Sequence, residues 1–501
     1  MKRFILAAST ALALTGCTVG PDFKSPAADR PVTFGSTRPD VRSTTYGGAM
    51  EEAWWKSFHD HELDTLMDRL ARQNLDLQAA MERVTQARAR FRLTRAESLP
   101  QLDASFTYDR NHLSQNGIVS LLQPAPGASL TYNQFDPKLT ASWEVDLFGR
   151  VRRLTEAARA GVQVSEEDRN AIALSVSTEL AETYFRYRET RALEALTLKN
   201  AALAERRLAL VDGLVRYGAA PALSDAQARA QLSRIRQALP ALRARQNELA
   251  NAIALQLDAP PRSLESELER DAALQPDVPH LVAIGLPADV IRRRPDVRRS
   301  EAQLHMATAS TGAAVASFYP DITFSSGFGV DSLHTGSLFQ WAARSFSIEP
   351  SISLPIFHGG ALSASLKLAK AQQREAAIGF HETVLNAWHE VDNALVSYAE
   401  AQETQTDASA TAQADTRALT LASEQFQHGA GNFLDVVDAQ SALVSSQSAT
   451  VHANAGQEIA LVTLYRSLGG GWHYLNSGMP MSSAAARRPG VGASQKTGPT
   501  G

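Results

Sequence analysis

Two groups of histidine and acidic residues contain the side chains that a metal site or an acid–base centre requires. His59-Asp60-His61-Glu62 is a dense cluster, but it lies at a predicted helix start, where carboxylates are expected because they complement the helix dipole. His381-Glu382 and His389-Glu390 are eight residues apart, whereas the zinc motif H-E-x-x-H needs histidines one helical turn apart. We interpret the first group as a helix start and the second as a solvated helix face, and no metal is predicted.

The sequence also lacks the motifs that bind nucleotides or activate a nucleophile. It contains no phosphate-binding loop, no G-x-S-x-G elbow and no G-x-G-x-x-G after a predicted strand. The basic run Arg292-Arg293-Arg294 precedes Pro295, a residue typical of the first position of a helix. A helix entry is therefore favoured over a phosphate or nucleic-acid patch, and an enzyme is not predicted.

Composition excludes several other classes of protein. The chain has 501 residues, of which 44% are hydrophobic and 20% are charged, and these values exclude a disordered or collagen-like protein. The formal net charge is −4, so no basic field favours nucleic acid as a partner. The single cysteine excludes an intrachain disulfide and a cysteine-based metal site. Beyond the N-terminus no apolar run is long enough to predict a membrane-spanning helix.

The single cysteine follows a segment typical of bacterial lipoprotein signals. Lys2-Arg3 precedes an apolar stretch that is too short to span a bilayer, and Leu14-Thr15-Gly16-Cys17 resembles a lipobox. We therefore predict a signal peptide over 1–16 and a covalent N-acyl diacylglycerol on Cys17, with no other cofactor. Because Thr18 stands where an aspartate would resemble the inner-membrane retention signal, the outer membrane is favoured. The alternative is an ordinary secretory signal with an incidental cysteine.

Four segments alternate apolar and polar side chains, the period that predicts β-strands with one apolar face. Each segment has about ten residues, the length that a tilted strand needs to cross the hydrocarbon layer, although a half-buried soluble sheet shows the same alternation. Four strands cannot close a barrel, so strands that span a membrane would have to be shared among several chains. The strands are predicted at about 101–112, 137–147, 321–331 and 346–357, with loops near 113–134 and 332–345.

Unusually long helices are predicted on either side of these strands. The segment 150–212 contains one glycine and no proline, and 360–427 contains no proline, so they predict helices of roughly 95 and roughly 100 Å. Helices of this length do not fit a compact domain. Two shorter helices placed end to end match one long helix, which favours paired coiled coils. The shorter helices are predicted at about 62–98, 221–257, 296–318 and 432–468.

The two halves of the chain resemble each other. The order helix, strand, loop, strand, long helix, glycine turn and helix occurs twice at a spacing of about 210–220 residues. Gly218 and Leu223, for example, correspond to Gly429 and Leu434. The resulting division is a signal peptide (1–16), a lipidated leader (17–60), a first repeat (61–257), a connector (258–294), a second repeat (295–472) and a disordered tail (473–501).

Six short motifs resemble, in the same order, those of the TolC-like outer membrane factors, in particular the NodT-type lipoproteins of tripartite efflux systems. The resemblance extends from Cys17 to about Trp472. The motifs are Cys17-Thr18-Val19-Gly20-Pro21-Asp22-Phe23, Trp143-Glu144-Val145-Asp146-Leu147-Phe148-Gly149-Arg150, Arg294-Pro295-Asp296-Val297-Arg298, Pro355-Ile356-Phe357-His358-Gly359-Gly360, Leu434-Asp435-Val436-Val437-Asp438-Ala439-Gln440 and Leu468-Gly469-Gly470-Gly471-Trp472.

The resemblance implies an α+β membrane protein that forms a homotrimer. Three chains of four strands would make a 12-stranded transmembrane β-barrel in the lipid of the outer membrane, continued by a periplasmic α-helical coiled-coil tunnel. The implied function is the outer membrane channel of a tripartite efflux pump, a passive exit duct for drugs and small molecules. An inner-membrane RND-type pump would drive it through a periplasmic adaptor, the membrane fusion protein. The alternatives are a type I secretion channel and a non-channel structural lipoprotein.

The resemblance also implies a docking site for the adaptor. In relatives two glycine turns lie at the periplasmic tips, where the adaptor's helical hairpins dock. The corresponding turns here are Gly218-Ala219-Ala220-Pro221 and Gly429-Ala430-Gly431-Asn432. Small residues permit the close approach of helices at these positions, although a plain helix-hairpin turn would also favour glycine.

A gate is the last feature that the resemblance implies. Leu434 and Asp438 match a leucine and an aspartate, one helical turn apart, that narrow the closed aperture in relatives. Three Asp438 carboxylates around one axis would repel each other and favour cations. Relatives often have Arg and Tyr latch residues where this chain has Gln425 and Phe426. We therefore expect a gate that is held by Leu434 packing and weaker polar contacts.

Overall fold

The computed structural model describes residues 18–26, 45–46, 48, 51–114, 130–269, 278–279, 282–284 and 287–477. The predicted signal peptide, Cys17 and the chain from residue 478 onward lie outside the described residues. The chain divides into two compact units, and each unit combines segments from both halves of the sequence. Unit 1 comprises Met1–Ala28, Glu82–Glu167 and Asp296–Val384, and unit 2 comprises Asp29–Met81, Asp168–Pro295 and Leu385–Gly501.

Helices account for most of the described chain. Two of them, each of 67 residues, are about 100 Å long at 1.5 Å per residue. No helix among the described residues combines the length and the apolar character needed to cross a membrane. The α-helices are α1 (His61–Gln73), α2 (Leu75–Ala96), α3 (Arg150–Arg216), α4 (Ala222–Gln237), α5 (Leu239–Gln256), α6 (Glu265–Leu268), α7 (Pro287–Arg293), α8 (Pro295–Ala316), α9 (Ala361–Gln427), α10 (Phe433–Ser467) and α11 (Trp472–Ser477).

Helices in the two halves of the chain match in length. α3 and α9 have 67 residues each, and α9 begins 211 residues after α3. α2 and α8 have 22 residues each, and α8 begins 220 residues after α2. These spacings fall in the range of the sequence correspondence between the halves.

A four-stranded antiparallel sheet lies in unit 1, and its strands lie side by side in the order Gln101–His112, Thr131–Glu144, Asp321–Val330 and Arg344–Ser353. Leu139 pairs with Phe328 and Phe328 pairs with Phe346, so apolar side chains of successive strands share one face. In the single chain this face is open to solvent: Leu102 is 70% exposed and Phe346 is 79% exposed. The strands are β1 (Thr45–Tyr46), β2 (Gln101–His112), β3 (Thr131–Glu144), β4 (Val282–Ala283), β5 (Asp321–Val330) and β6 (Arg344–Ser353), and β1 pairs with β4 in unit 2.

The strand bounds differ most from the predicted ones at the start of β3 and the end of β6, and a proline lies near each of these ends. β3 also ends at Glu144, three residues before its predicted end, and β6 begins at Arg344, two residues before its predicted start. β3 begins at Thr131, six residues earlier than predicted, and Pro137 lies inside it. Lys138 pairs with Gly329 and Phe135 with Ser332, so the same register places Pro137 opposite Val330, in a gap of the β3–β5 ladder. Proline has no N–H to donate, which accounts for that gap.

β6 ends at Ser353, four residues before its predicted end. The apolar alternation continues to Ile356, but Pro355 follows the strand and cannot donate a ladder hydrogen bond. The apolar–polar period therefore gives the face of a strand more reliably than its end.

Two of the predicted short helices are each divided into two. Asn74 is extended between α1 and α2, and its side-chain Oδ1 accepts a hydrogen bond from Leu77 N–H at 3.0 Å, which starts α2. α4 and α5 meet at Ala238, and Pro240 occupies the first turn of α5. Both divisions have a local signal, because asparagine favours helix starts and proline cannot accept an interior helical position.

The core of unit 2 includes residues from both ends of the sequence. A short 3-10 helix, Trp54–Phe58, contributes three buried aromatic residues, and Trp54 stacks on Tyr465 with ring centroids 5.2 Å apart. These residues fall in the range predicted to be a leader. The predicted disordered tail from 473 is wrong for its first residues, because α11 buries Leu475 and Tyr474 donates a hydrogen bond to Asp68 at 3.0 Å.

Unit 2 also buries a carboxyl group. Glu458 on α10 is 1% exposed, and its Oε2 has no hydrogen-bond partner among the residues that the structure describes. Burial raises the pKa of Glu458 well above its ordinary value; Arg188 opposes this shift, and the carboxylates of Glu189 and Asp60 add to it. Folding therefore favours the neutral form of the Glu458 carboxyl group relative to the unfolded chain.

Glu458→Gln is expected to stabilise the protein at neutral and higher pH. In the wild type, the folded protein keeps the Glu458 proton to a higher pH than the unfolded chain does. The contribution of Glu458 to the free energy of unfolding is therefore complete below the pKa of the unfolded chain and is lost as pH rises through the pKa of the folded protein. Each unit of that shift corresponds to about 1.4 kcal/mol. Thermal unfolding followed by circular dichroism at several pH values should show that Glu458→Gln is more stable than the wild type, by a difference that grows above pH ~4.5. Equal benefit at every pH, or the same benefit from exposed Glu403→Gln, would contradict this assignment.

Candidate functional site

α3 ends in a glycine turn. Gly218 has a φ of +70°, in the left-handed region that favours glycine. Its N–H donates to Val215 O at 3.0 Å, and the N–H of Ala219 donates to Leu214 O at 2.8 Å. This pair of bonds satisfies the last carbonyl groups of the helix, and Pro221 then precedes the first residue of α4.

The turn after α9 repeats this geometry 211 residues later. Gly429 has a φ of +73°, and its N–H donates to Phe426 O at 3.1 Å. The N–H of Ala430 donates to Gln425 O at 2.9 Å. Glycine turns are thus present at both predicted positions with matching backbone geometry; the first reverses the chain between α3 and α4, and the second between α9 and α10.

The second turn carries a helix cap that the first turn lacks. Asn432 Oδ1 accepts from Leu434 N–H at 3.1 Å, and Asp435 Oδ2 accepts from Asn432 N–H at 3.2 Å. This reciprocal arrangement is a capping box. At the equivalent position of the first turn, Pro221 provides no side-chain cap.

Asn432→Ala is expected to loosen the start of α10. Loss of an N-cap costs about 0.5–2 kcal/mol, so amide hydrogen exchange in the first turn of α10 should be about tenfold faster. Pro221→Ala is the matched control, since it removes no capping hydrogen bond. Unchanged exchange in α10 after Asn432→Ala would contradict the capping assignment.

A small apolar cluster supports the tip. It consists of Val211 on α3, Ala228 on α4, and Phe433, Val436 and Val437 on α10. Packing of Phe433 and its neighbours against α3 and α4 fixes the rotation of α10, which determines the side chains on its opposite face.

The predicted gate residues do not form one group. Leu434 and Asp438 are both exposed and lie one turn apart on α10, on the face away from the apolar cluster. Phe426 packs instead against Phe433, with ring centroids 5.4 Å apart, and Gln425 is exposed on α9. The structure therefore brings Leu434 and Asp438 together and places Phe426 in the tip's own packing.

Polar contacts that the sequence did not indicate connect α10 to α3 and α4. Arg207 on α3 donates to the side-chain oxygen of the buried Gln440, and burial lowers the pKa of Arg207. Gln231 on α4 donates to Ser441 at 3.2 Å. The spacing of these residues in the sequence gives no sign of these contacts, which are recognised only from the hydrogen bonds in the structure. These contacts join α10 to α3 and α4, and the gate at Leu434 and Asp438 stays a prediction.

The two groups of histidine and acidic residues seen in the sequence lie at a helix start and on a helix surface. Asp60 caps α1, accepting from Glu62 N–H at 3.0 Å and Leu63 N–H at 3.1 Å, and it also accepts from the Tyr184 hydroxyl at 2.8 Å. His381 lies on the exposed surface of α9. Within the described part of the chain, no three histidine, cysteine, aspartate or glutamate residues are grouped so that they could hold a metal ion.

Comparison with known proteins assigns the chain to a family. The family model described as "Outer membrane efflux protein" matches residues 66–257 and 286–470. The chain belongs to this outer membrane efflux family. It is an outer-membrane channel for efflux, and its location is the outer membrane.

Individual relatives of this efflux protein match over nearly the whole chain. Outer membrane protein OprJ of Pseudomonas aeruginosa is 32% identical over 92% of this chain and 94% of its own length. The cation efflux system protein CusC of Escherichia coli is 29% identical over 92% of this chain and 97% of its own length. Among solved structures, the outer-membrane channel OprN superposes with a TM-score of 0.82 at 29% identity, covering 91% of this chain and all of that one.

Proposed function

We propose that three copies of this efflux protein form one channel, with a 12-stranded transmembrane barrel and a periplasmic helical tunnel. The observation that carries the proposal is the exposed apolar face of the sheet, which includes Leu102, Phe328 and Phe346. β2 and β6 each have one neighbour in the described chain, and open strand edges do not persist in lipid. Pairing β6 of one copy with β2 of the next would close the barrel and cover both edges.

The opposite face of the sheet supports an aqueous path. Thr140 pairs with Gly327, and Gly327 pairs with Ser347, so polar and small residues follow one another across the strands. A polar inner face around a water-filled passage is the arrangement found in porin-type barrels. The channel would be a passive duct for drugs and small molecules, with energy supplied by an inner-membrane RND-type pump.

The two tip turns would receive the periplasmic adaptor. Their backbone geometry matches, and a groove of about 780 Å³ lies beside them, with Leu214, Phe426 and Gly429 among its lining residues. Apolar grooves of this kind suit the apolar face of a helix. Docking at these turns would couple the pump to the duct by favouring an open state of the tips.

The N-terminus would add a lipid anchor. A diacylglycerol and an amide-linked acyl chain on Cys17 would hold the chain in the outer membrane, because each buried methylene contributes about 0.8 kcal/mol. The anchor and the barrel would then be two independent attachments to the same membrane.

Site-directed cross-linking tests the adaptor site. Cys17 is the only cysteine of the chain and is acylated in this proposal, so an introduced cysteine would provide the only free thiol. With a photoreactive maleimide in cells that contain the adaptor, Ala219→Cys and Ala430→Cys should cross-link to it. Ala364→Cys, exposed near the start of α9, is the control. Cross-links that are absent at both tips, or equally strong at Ala364→Cys, would contradict the proposed docking.

A further inference from the structure

The segment Thr18–Ser25 directly follows the proposed lipid-bearing residue and lies against the start of α3. Val19 N–H donates to Phe148 O at 3.2 Å. A Cβ placed on Gly149 would be 3.1 Å from the Cα of Thr18, so the two backbones are in close contact. Gly149 comes five residues after Glu144, the last residue of β3. The beginning of the described chain is therefore held at one end of the sheet.

A buried arginine makes most of the polar contacts to this segment. The side chain of Arg153 is 5% exposed. Its guanidinium donates to Val19 O at 3.3 Å, to Gly20 O at 3.4 Å and to the Asp22 carboxylate at 2.6 Å. A buried cation is stable only when it is paired and hydrogen-bonded, and here the segment supplies three of its partners.

An aromatic contact holds the segment at its other end. The ring of Phe23 stacks on His305 of α8 with ring centroids 4.4 Å apart. His305 Nε2 is 2.9 Å from Glu156 Oε1, and Arg153 donates to the other oxygen of Glu156 at 2.8 Å. Burial alone would raise the pKa of Glu156, but the hydrogen bonds from His305 and Arg153 hold it below its ordinary value. The aromatic contact and the arginine thus belong to one network.

The backbone contact of the segment requires glycine. A Cβ on Gly20 would lie 2.6 Å from the Cα of Gly312 on α8, and Gly20 has a φ of +92°. A Cβ on Gly312 would lie 2.8 Å from the Cδ of Arg153. Any side chain on either glycine would therefore separate the segment from α8 or displace Arg153. This explains the presence of glycine within the Thr18–Phe23 motif.

We propose that Thr18–Ser25 is a docked segment that fixes the lipid anchor beside the end of the sheet, and that Arg153 is its positioning residue. The role in anchoring rests on the proposed lipidation of Cys17. With the segment docked, the acyl chains enter the membrane next to β3, so the lipid and the strands insert into the same region of the bilayer. An undocked segment would leave the lipid on a tether that does not constrain the position of the sheet.

Limited proteolysis of the full-length acylated protein in detergent tests this proposal. Lys24 lies within the segment, and trypsin cleavage after it would release the acylated peptide 17–24. Cleavage follows the population of the open form when docking and undocking are fast. Arg153→Met and Gly20→Ala are expected to release the peptide about tenfold faster than the wild type, because they remove charge-assisted hydrogen bonds or the backbone contact. Mass spectrometry measures the rate and shows the acyl chains.

A matched control and a parallel measurement separate the outcomes. Arg159→Met removes another arginine of α3, one whose guanidinium lies over the Phe91 ring, and should leave the cleavage rate unchanged. Wild-type rates in both test variants, or equally rapid cleavage in all proteins, would overturn the docked segment. A released peptide without acyl mass would overturn the anchoring role. Channel conductance of the same samples tests the proposed channel separately, because the rate of trypsin cleavage does not depend on whether the protein conducts ions.

Discussion

Phe328→Arg is expected to remove most of the assembled trimer of the efflux protein from the outer membrane. Phe328 lies at the centre of the exposed apolar face, paired with Leu139 on one side and Phe346 on the other. In a barrel this side chain would face lipid, where arginine near the bilayer midplane costs about 2–4 kcal/mol per chain. A trimer carries three copies, so assembled protein should fall by at least about tenfold. Membrane fractionation and trimer bands on native gels measure the effect.

Ser325→Arg is the control on the same strand. Ser325 lies on the opposite face of β5, paired with Ser142 and Glu349. In the proposed barrel it faces the aqueous passage, where an arginine keeps its hydration and changes ion selectivity instead of assembly. Equal loss of membrane-bound trimer in both variants, or no loss in either, would show that the apolar face does not contact lipid.

Asp438→Ala is expected to abolish most of the cation preference of the channel. In the trimer three Asp438 carboxylates would surround one axis at the tip. An attraction of about 1 kcal/mol, the value for unit charges about 4 Å apart in water, corresponds to about a fivefold preference. Reversal potentials in a salt gradient across a planar bilayer measure the ratio. Asp76→Ala, which removes an exposed carboxylate from α2, should leave it unchanged.

Leu434→Ala separates the narrowing of the gate by Leu434 from the cation preference that Asp438 provides. Leu434 is exposed one turn before Asp438 and carries no charge. Its truncation should widen the aperture and raise the single-channel conductance while the cation preference remains. If neither variant changes conductance or selectivity, the gate does not lie at this turn of α10.

The strands show which parts of the fold the sequence could predict. β2 has the bounds that its alternation indicates, Gln101–His112, because a period of two requires only that one face is apolar. β3 begins earlier than predicted, because the strand includes Pro137 and continues back to Thr131. Whether a strand accepts proline depends on the partner strand, which a local pattern does not contain.

The long helices were predictable because they lack interruptions. α3 and α9 extend to Arg216 and Gln427, where glycine turns end them as the sequence indicates. The predicted helices at about 62–98 and 221–257 did not include the breaks at Asn74 and Pro240. Both breaks have local signals, because asparagine favours a helix start and proline favours the first turn of a helix.

The tip illustrates the limit of sequence reasoning about a site. Gly218 and Gly429 have positive φ values at the two predicted turns, whereas docking of an adaptor there stays a prediction. The contact of Phe426 with Phe433 and the pairing of Arg207 with Gln440 depend on how α10 rotates against its neighbours. That rotation is set by tertiary packing, which no motif of one helix records.

In the proposed channel three chains share one conducting barrel. This arrangement is tested most directly by measuring the native mass of the purified, acylated protein in detergent and the conductance of the same sample in a planar bilayer. We expect a trimer that gives small, cation-preferring currents. A monomer without conductance would contradict it, and the four alternating strands would then form a soluble sheet in a structural lipoprotein.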